Sequence, residues 1–155
     1  MSALAEYRGP SLHALADARR AGHLLGLSRE DCQSELALAA KVAEGLPVES
    51  VRRLVDLLGR SAVIGPLVPA TSFRRAAKSK ARLSRDLSDR IIGVARVLDA
   101  VARLYHGDRD RMLSFLSGPH MMLGGRSALG LASSSVTGAM AVLELVEQAE
   151  AGFPV

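Results

Sequence analysis

Between Leu87 and Tyr105 the apolar residues Leu87, Ile91, Val94, Leu98, Val101 and Tyr105 recur at steps of 4, 3, 4, 3 and 4. That spacing belongs to an α-helix laying one face along a neighbour. Ile92, Ala95 and Ala102 widen the stripe, and a wide stripe means neighbours on more than one side. The spacing therefore predicts a helix over 85–105 at the centre of the domain. Ser84 is its expected N-cap and His106-Gly107 its end. Its surplus apolar positions offer a seam for a homodimer. Runs of alternating polarity are scarce, so the expected fold class is all-α, a helical bundle. Apolar residues are 48% of the 155 and aromatic residues only 3%, so the core must be built from aliphatic helix–helix contacts.

Other helices follow from their punctuation. Glu35–Glu44 reads as a helix with Leu36, Ala39, Ala40 and Ala43 inward, stopped by Gly45. Pro47 opens the next helix, with Val48, Val51, Leu54, Val55 and Leu58 inward and Gly59 at its end. A short apolar piece, Ala62–Val68, precedes Pro69 and a brief helix carrying Thr71 to Ala76. Three short helices joined by tight turns have the spacing of a helix-turn-helix unit. Further along, Asp108 caps a helix with Met112, Leu113 and Leu116 inward, ended by Gly118-Pro119. Ser127 caps a short turn. Ser134 or Ser135 caps the last helix, whose expected inner face is Val136, Ala139, Met140, Leu143 and Val146. The first 33 residues show weak patterning and read as a partly mobile extension.

The charge is unevenly spread. Seven basic residues and two acidic ones lie between Arg74 and Arg90, a surplus of five, whereas the whole chain carries +4. A block of this kind suits a polyanion such as DNA. A solvated helix face accounts for the same pattern equally well. Cys32 is the single cysteine, so no internal disulfide forms. The N-terminus is charged throughout and does not read as a secretory signal. No stretch reaches the roughly 20 apolar residues of a membrane helix. A cytoplasmic protein without membrane attachment is expected. The histidines show no metal-ligand spacing, and no nucleophile–base or phosphate-loop pattern occurs. The chain reads as a non-enzyme without metal or cofactor.

The segment from Met112 to Val155 resembles the toxin-binding domain of the Xre/MbcA/ParS antitoxin family. The likeness is carried by Phe115-Leu116, Pro119, Leu123-Gly124-Gly125, Ala128-Leu129, Gly138-Ala139 and a final helix ending at Gly152. Thr71, Arg74-Arg75, Leu83-Ser84 and Ser88-Asp89-Arg90 resemble the helix-turn-helix part of the same family. Phe115 stands where the family commonly has Trp, and Ala128 where Pro is usual. Such antitoxins pair with RES-domain toxins, which degrade NAD or use it to ADP-ribosylate a target. The resemblance implies an antitoxin of a type II toxin–antitoxin system. It would neutralise a cognate RES-domain toxin by direct binding near its NAD pocket and repress its own operon as a homodimer on operator DNA.

The expected organisation is a 1–33 extension, a 34–106 helix-turn-helix DNA-binding region and a 107–155 toxin-binding region. Thr71, Ser72 and Arg75 are expected at base edges, with Arg74, Lys78, Lys80 and Arg82 at phosphates. Met121, Met122, Leu123, Gly124, Gly125 and Arg126, with the tail Phe153, Pro154 and Val155, are the expected toxin contacts. Residues after about Met112 are expected to suffice for neutralisation. A stand-alone helix-turn-helix regulator, its C-terminal region serving for dimerisation, is the alternative reading.

Overall fold

The computed structural model describes residues 3–155. Their regular elements are all helical: α1 (Asp17–Leu24), α2 (Glu35–Glu44), α3 (Val48–Leu58), α4 (Arg60–Val63), α5 (Ala70–Ser79), α6 (Arg85–Leu104), α7 (Arg109–Ser117), α8 (Ala128–Ser134) and α9 (Val136–Glu150). Short 3-10 turns lie at Ala3–Arg8, Pro10–Ala14, Glu30–Cys32 and Met121–Leu123. Extended pairing among the described residues is limited to two isolated bridges, Ile64 with Val68 and Pro119 with Ser127. The all-α bundle read from the sequence is the fold observed.

The central helix is where the heptad-like stripe puts it. Ser84 accepts a hydrogen bond from the Leu87 N–H at 3.2 Å and starts α6. Leu87, Ile91, Val94, Leu98 and Val101 are buried, and so are Ile92, Ala95 and Ala102. The wide stripe is explained by four neighbours: α1 and α2 together with α8 and α9 pack on α6. These apolar positions are consumed inside one chain, so the seam expected to join two copies is not available on α6.

Residues 3–33 pack onto the rest of the fold rather than standing apart from it. Leu4, Tyr7, Leu12, Ala21, Leu24 and Leu25 are buried in the common core, and a buried ionic cluster fastens the segment to α6. Asp99 accepts a hydrogen bond from the Tyr7 hydroxyl at 2.8 Å. It also accepts from Arg20 Nε, at 3.0 and 3.2 Å to its two oxygens. Arg103 Nε approaches Asp99 Oδ2 at 3.3 Å from the next turn of the helix, although it is not aligned for a hydrogen bond. Arg20 adds contacts to the Leu15 carbonyl and to Asp17. Burial and the adjacent Asp99 carboxylate push the Tyr7 phenol well above its ordinary pKa. Asp99 also holds the Arg20 guanidinium above its own ordinary value, against the opposing effect of burial. A second tie is the Ser50 hydroxyl, which donates to the Leu25 carbonyl at 3.0 Å.

Two helices carry their apolar face in a different phase from the expected one. On α2 the buried residues are Leu38 and Val42, while Leu36 is 81% exposed. On α9 the buried residues are Gly138, Ala139, Val142, Leu145 and Val146, and Val136 and Met140 face outward. Small residues decide the phase of α9. A Cβ at Gly93 of α6 would lie 3.0 Å from the Ala139 Cβ, and one at Gly138 would lie 2.2 Å from the Leu131 carbonyl oxygen. Only Gly138-Ala139 lets α9 approach both α6 and the end of α8 so closely.

Candidate nucleic-acid and partner-binding surfaces

The first candidate surface is built by α3, α4 and α5. Gly59, at φ 90°, ends α3 and begins α4 in a turn that favours glycine. Pro69 starts α5, which packs on α3; its Ala76 is buried in the common core, and Phe73 and Ala77 are partly buried against it. The Arg60 guanidinium lies 5.5 Å from the centre of the Phe73 ring. The opposite side of α5 is exposed and presents Thr71, Arg74, Arg75 and Lys78. Lys80 closes the helix in a left-handed conformation at φ 56°, and Arg82 follows, donating to the Gly45 carbonyl at 3.3 Å.

This surface gathers close together basic residues that have no ion-pair partner among the described residues. Elsewhere Arg52 pairs with Glu49, Arg96 with Glu35, Arg20 and Arg103 with Asp99, and Lys41 with Asp31 and Glu44. Among the described residues no carboxylate lies within ion-pair distance of Arg74, Arg75, Lys78, Lys80 or Arg82. A cluster of unneutralised cations on one side of a short helix attracts an external polyanion. Two clefts flank α5. Ser72, Arg75, Arg82, Ser84 and Leu87 line one, free of carboxylates, and Pro47, Glu49, Arg52, Ala77, Lys80 and Arg82 line the other, which holds one carboxylate.

The second candidate surface is the turn between α7 and α8. Its backbone is closed on itself: the His120 N–H donates to the Arg126 carbonyl at 3.1 Å and the Gly125 N–H to the His120 carbonyl at 2.9 Å. Gly124 and Gly125 both have positive φ, 66° and 79°, a succession that side chains with a Cβ rarely adopt. His120 braces the turn from inside, its Nε2 2.8 Å from the Phe115 carbonyl oxygen and its ring 4.6 Å from the Phe115 ring. Met121 is thereby held 96% exposed and Met122 56% exposed. Arg126 is exposed and has no carboxylate partner among the described residues. Leu123 differs from its expected role as a contact residue, because it is buried and anchors the turn.

The tail leaves α9 in the manner of a Schellman ending. Gly152 takes a positive φ of 88° and the Phe153 N–H donates to the Gln148 carbonyl at 3.0 Å. Phe153 and Val155 remain 64% and 47% exposed, and Pro154 is exposed between them. Val136 and Met140 on α9 add two exposed apolar residues that the sequence reading had placed in the core. A fragment beginning at Met112 would lack α6, on which α8 and α9 rest, so this surface depends on the central helix. No group of three or more His, Cys, Asp or Glu side chains among the described residues is arranged to hold a metal ion. No described helix is long and apolar enough to cross a membrane.

Residues 101–152, from the last turn of α6 to the end of α9, match the family of the antitoxin Xre/MbcA/ParS C-terminal toxin-binding domain. An antitoxin Xre of Yersinia enterocolitica is 33% identical to this chain over 85 residues, which are 55% of the chain and 57% of that protein. The C-terminal third of the chain is thus similar to the toxin-binding domain of Xre/MbcA/ParS antitoxins, and the chain spans little more than half the length of that relative.

Proposed function

We propose that this chain is the antitoxin of a type II toxin–antitoxin pair, that it neutralises a RES-domain, NAD-consuming toxin by direct binding near the NAD pocket, and that it represses its own operon. The observation that carries the reading is the matched toxin-binding domain presenting two methionines, Met121 and Met122, on a turn whose own hydrogen bonds hold them outward. Exposed methionines adapt to an irregular partner surface, and an exposed apolar patch is otherwise costly to keep. Arg126 beside them supplies one charge for a carboxylate on the partner. Phe153, Pro154 and Val155 form an apolar tail that the core does not use, suited to filling a pocket. The chain itself performs no catalysis in this reading and acts in the cytoplasm.

The DNA-binding half of the proposal rests on the unpaired cations around α5. Thr71, Ser72, Arg74, Arg75, Lys78, Lys80 and Arg82 form the contact surface, and α3 to α5 serve as the helix-turn-helix unit. Two copies of the chain reading two half-sites follow from the symmetry such units require, with the copies joined through a surface other than α6. The test is salt-dependent binding to the duplex upstream of the chain's own gene, measured with and without a RES-domain toxin that the chain binds. Equal affinity for upstream and random duplex in both conditions would refute the repressor role.

A further inference from the structure

The cleft between α5 and the start of α6 has a more specific shape than a basic patch. It holds about 110 Å³ and is lined by Ser72, Arg75, Arg82, Leu83, Ser84 and others, with no carboxylate among the lining residues. The helical phase of α5 divides its exposed residues. Ala76 and Phe73 define the packed side, so Thr71 and Lys78 stand at the outer crest. Arg75 and Ser72 lie on the flank that turns toward α6, and Arg74 lies on the other flank. Arg82 enters the same cleft from the segment that precedes α6. Its bond to the Gly45 carbonyl and the pairing of the Leu83 N–H with the Leu46 carbonyl at 2.9 Å fix that segment. Two arginines and two serines from two separate elements therefore line one concave space, and among the described residues neither arginine has an ion-pair partner.

We propose that this cleft seats a single backbone phosphate of duplex DNA, held jointly by Arg75 and Arg82, and that Arg75 is a phosphate anchor rather than a reader of base edges. Sequence discrimination then falls to the crest, with Thr71 first. This inference rests on the DNA-binding reading above and assigns roles within it. A single anion of phosphate size and geometry suits two guanidinium forks, which donate parallel hydrogen bonds to adjacent oxygens. Fixing α5 to one phosphate from its α6 flank would set the depth and rotation at which the crest meets the groove, because phosphate contacts orient and base contacts specify.

The experiment is loss-of-contact phosphate ethylation interference with a duplex spanning the region upstream of the gene. The full chain is compared with Arg75→Ala, Arg82→Ala, the double variant and Thr71→Ala. For the wild type, ethylation of one phosphate per half-site should block binding. That same phosphate should cease to matter in both arginine variants. Each single variant should lose on the order of tenfold in affinity, equally for upstream and random duplex. The double variant should flatten the slope of log K against log salt by about 0.9, the value for one phosphate, and not by about twice that. Thr71→Ala should keep the salt slope and narrow the gap between upstream and random duplex. Melting curves of the variants within a few degrees of wild type establish that the fold is retained. If the two arginine variants relieve interference at different phosphates, or if Arg75→Ala narrows sequence preference with an unchanged slope, the shared seat is wrong while the DNA reading stands. If the wild-type chain binds no duplex, with or without the toxin, both are wrong.

Discussion

Replacing Asp99 by Asn separates the buried ionic cluster from the rest of the fold's stability. The Arg20 and Asp99 side chains are only 5% and 4% exposed, so the carboxylate neutralises a guanidinium that water barely reaches. Removing one partner of a buried pair costs about 3–5 kcal/mol, because the other charge is left uncompensated. Arg20 keeps the Leu15 carbonyl and Asp17, so the lower end of that range, about 3 kcal/mol, is expected. In a chain of this size each kcal/mol lowers Tm by about 2–4 °C, giving a fall of about 6–12 °C. The comparison is Arg96→Ala, which breaks the exposed pair with Glu35, made at 2.5 Å, and should change stability by no more than about 1 kcal/mol. Urea unfolding of both variants, with thermal melts, gives the difference. An Asp99→Asn protein as stable as Arg96→Ala would refute the claim that the N-terminal segment is fastened to α6 through this cluster.

Three further outcomes follow. Tyr7→Phe should cost about 1.5–3 kcal/mol at neutral pH, for one hydrogen bond to a charged acceptor. Because the folded Tyr7 pKa lies well above its unfolded value near 10, that contribution is full below pH 10 and declines progressively as pH rises from there toward the folded value. The stability gap between wild type and Tyr7→Phe should therefore shrink in alkaline urea titrations, and a gap constant to pH 11 would contradict this. Gly138→Val should lower stability by several kcal/mol, since even its Cβ would overlap the Leu131 carbonyl, whereas Gly125→Asn, in open space at positive φ, should cost about 1 kcal/mol or less in the same assay. Deleting Phe153–Val155 should leave Tm within about 2 °C, because these side chains are exposed, yet weaken toxin neutralisation in co-expression; unimpaired protection would show that the tail makes no contact.

The elements legible in the sequence were those whose signals agree. The α6 stripe, its Ser84 cap, the Gly45 and Gly59 stops and the Asp108 and Ser127 caps all appear where spacing and capping chemistry put them. The phases of α2 and α9 were not legible. In alanine-rich or glycine-rich helices two stripes are equally apolar, and the contact that chooses between them, such as Gly93 against Ala139, joins residues far apart in the chain. The packing of residues 3–33 was not legible for a similar reason. Arg20 among small residues looks like a solvated position, and only the distant Asp99 turns it into a buried anchor. The candidate surfaces were half legible. The methionine turn and the basic cluster stood out by composition, while the burial of Leu123 and the meeting of Arg75 with Arg82 across one cleft depend on how the turns fold back.

In the proposed function the turn after α7 blocks an NAD-consuming toxin. The measurement is the NAD content of cells induced to express a RES-domain, NAD-consuming toxin together with the wild-type chain or with Met121→Asp or Met122→Asp. NAD should be preserved by the wild-type chain and fall with either variant, while both variants melt within a few degrees of wild type. Loss of NAD in the presence of the wild-type chain, or full protection by both folded variants, would contradict it.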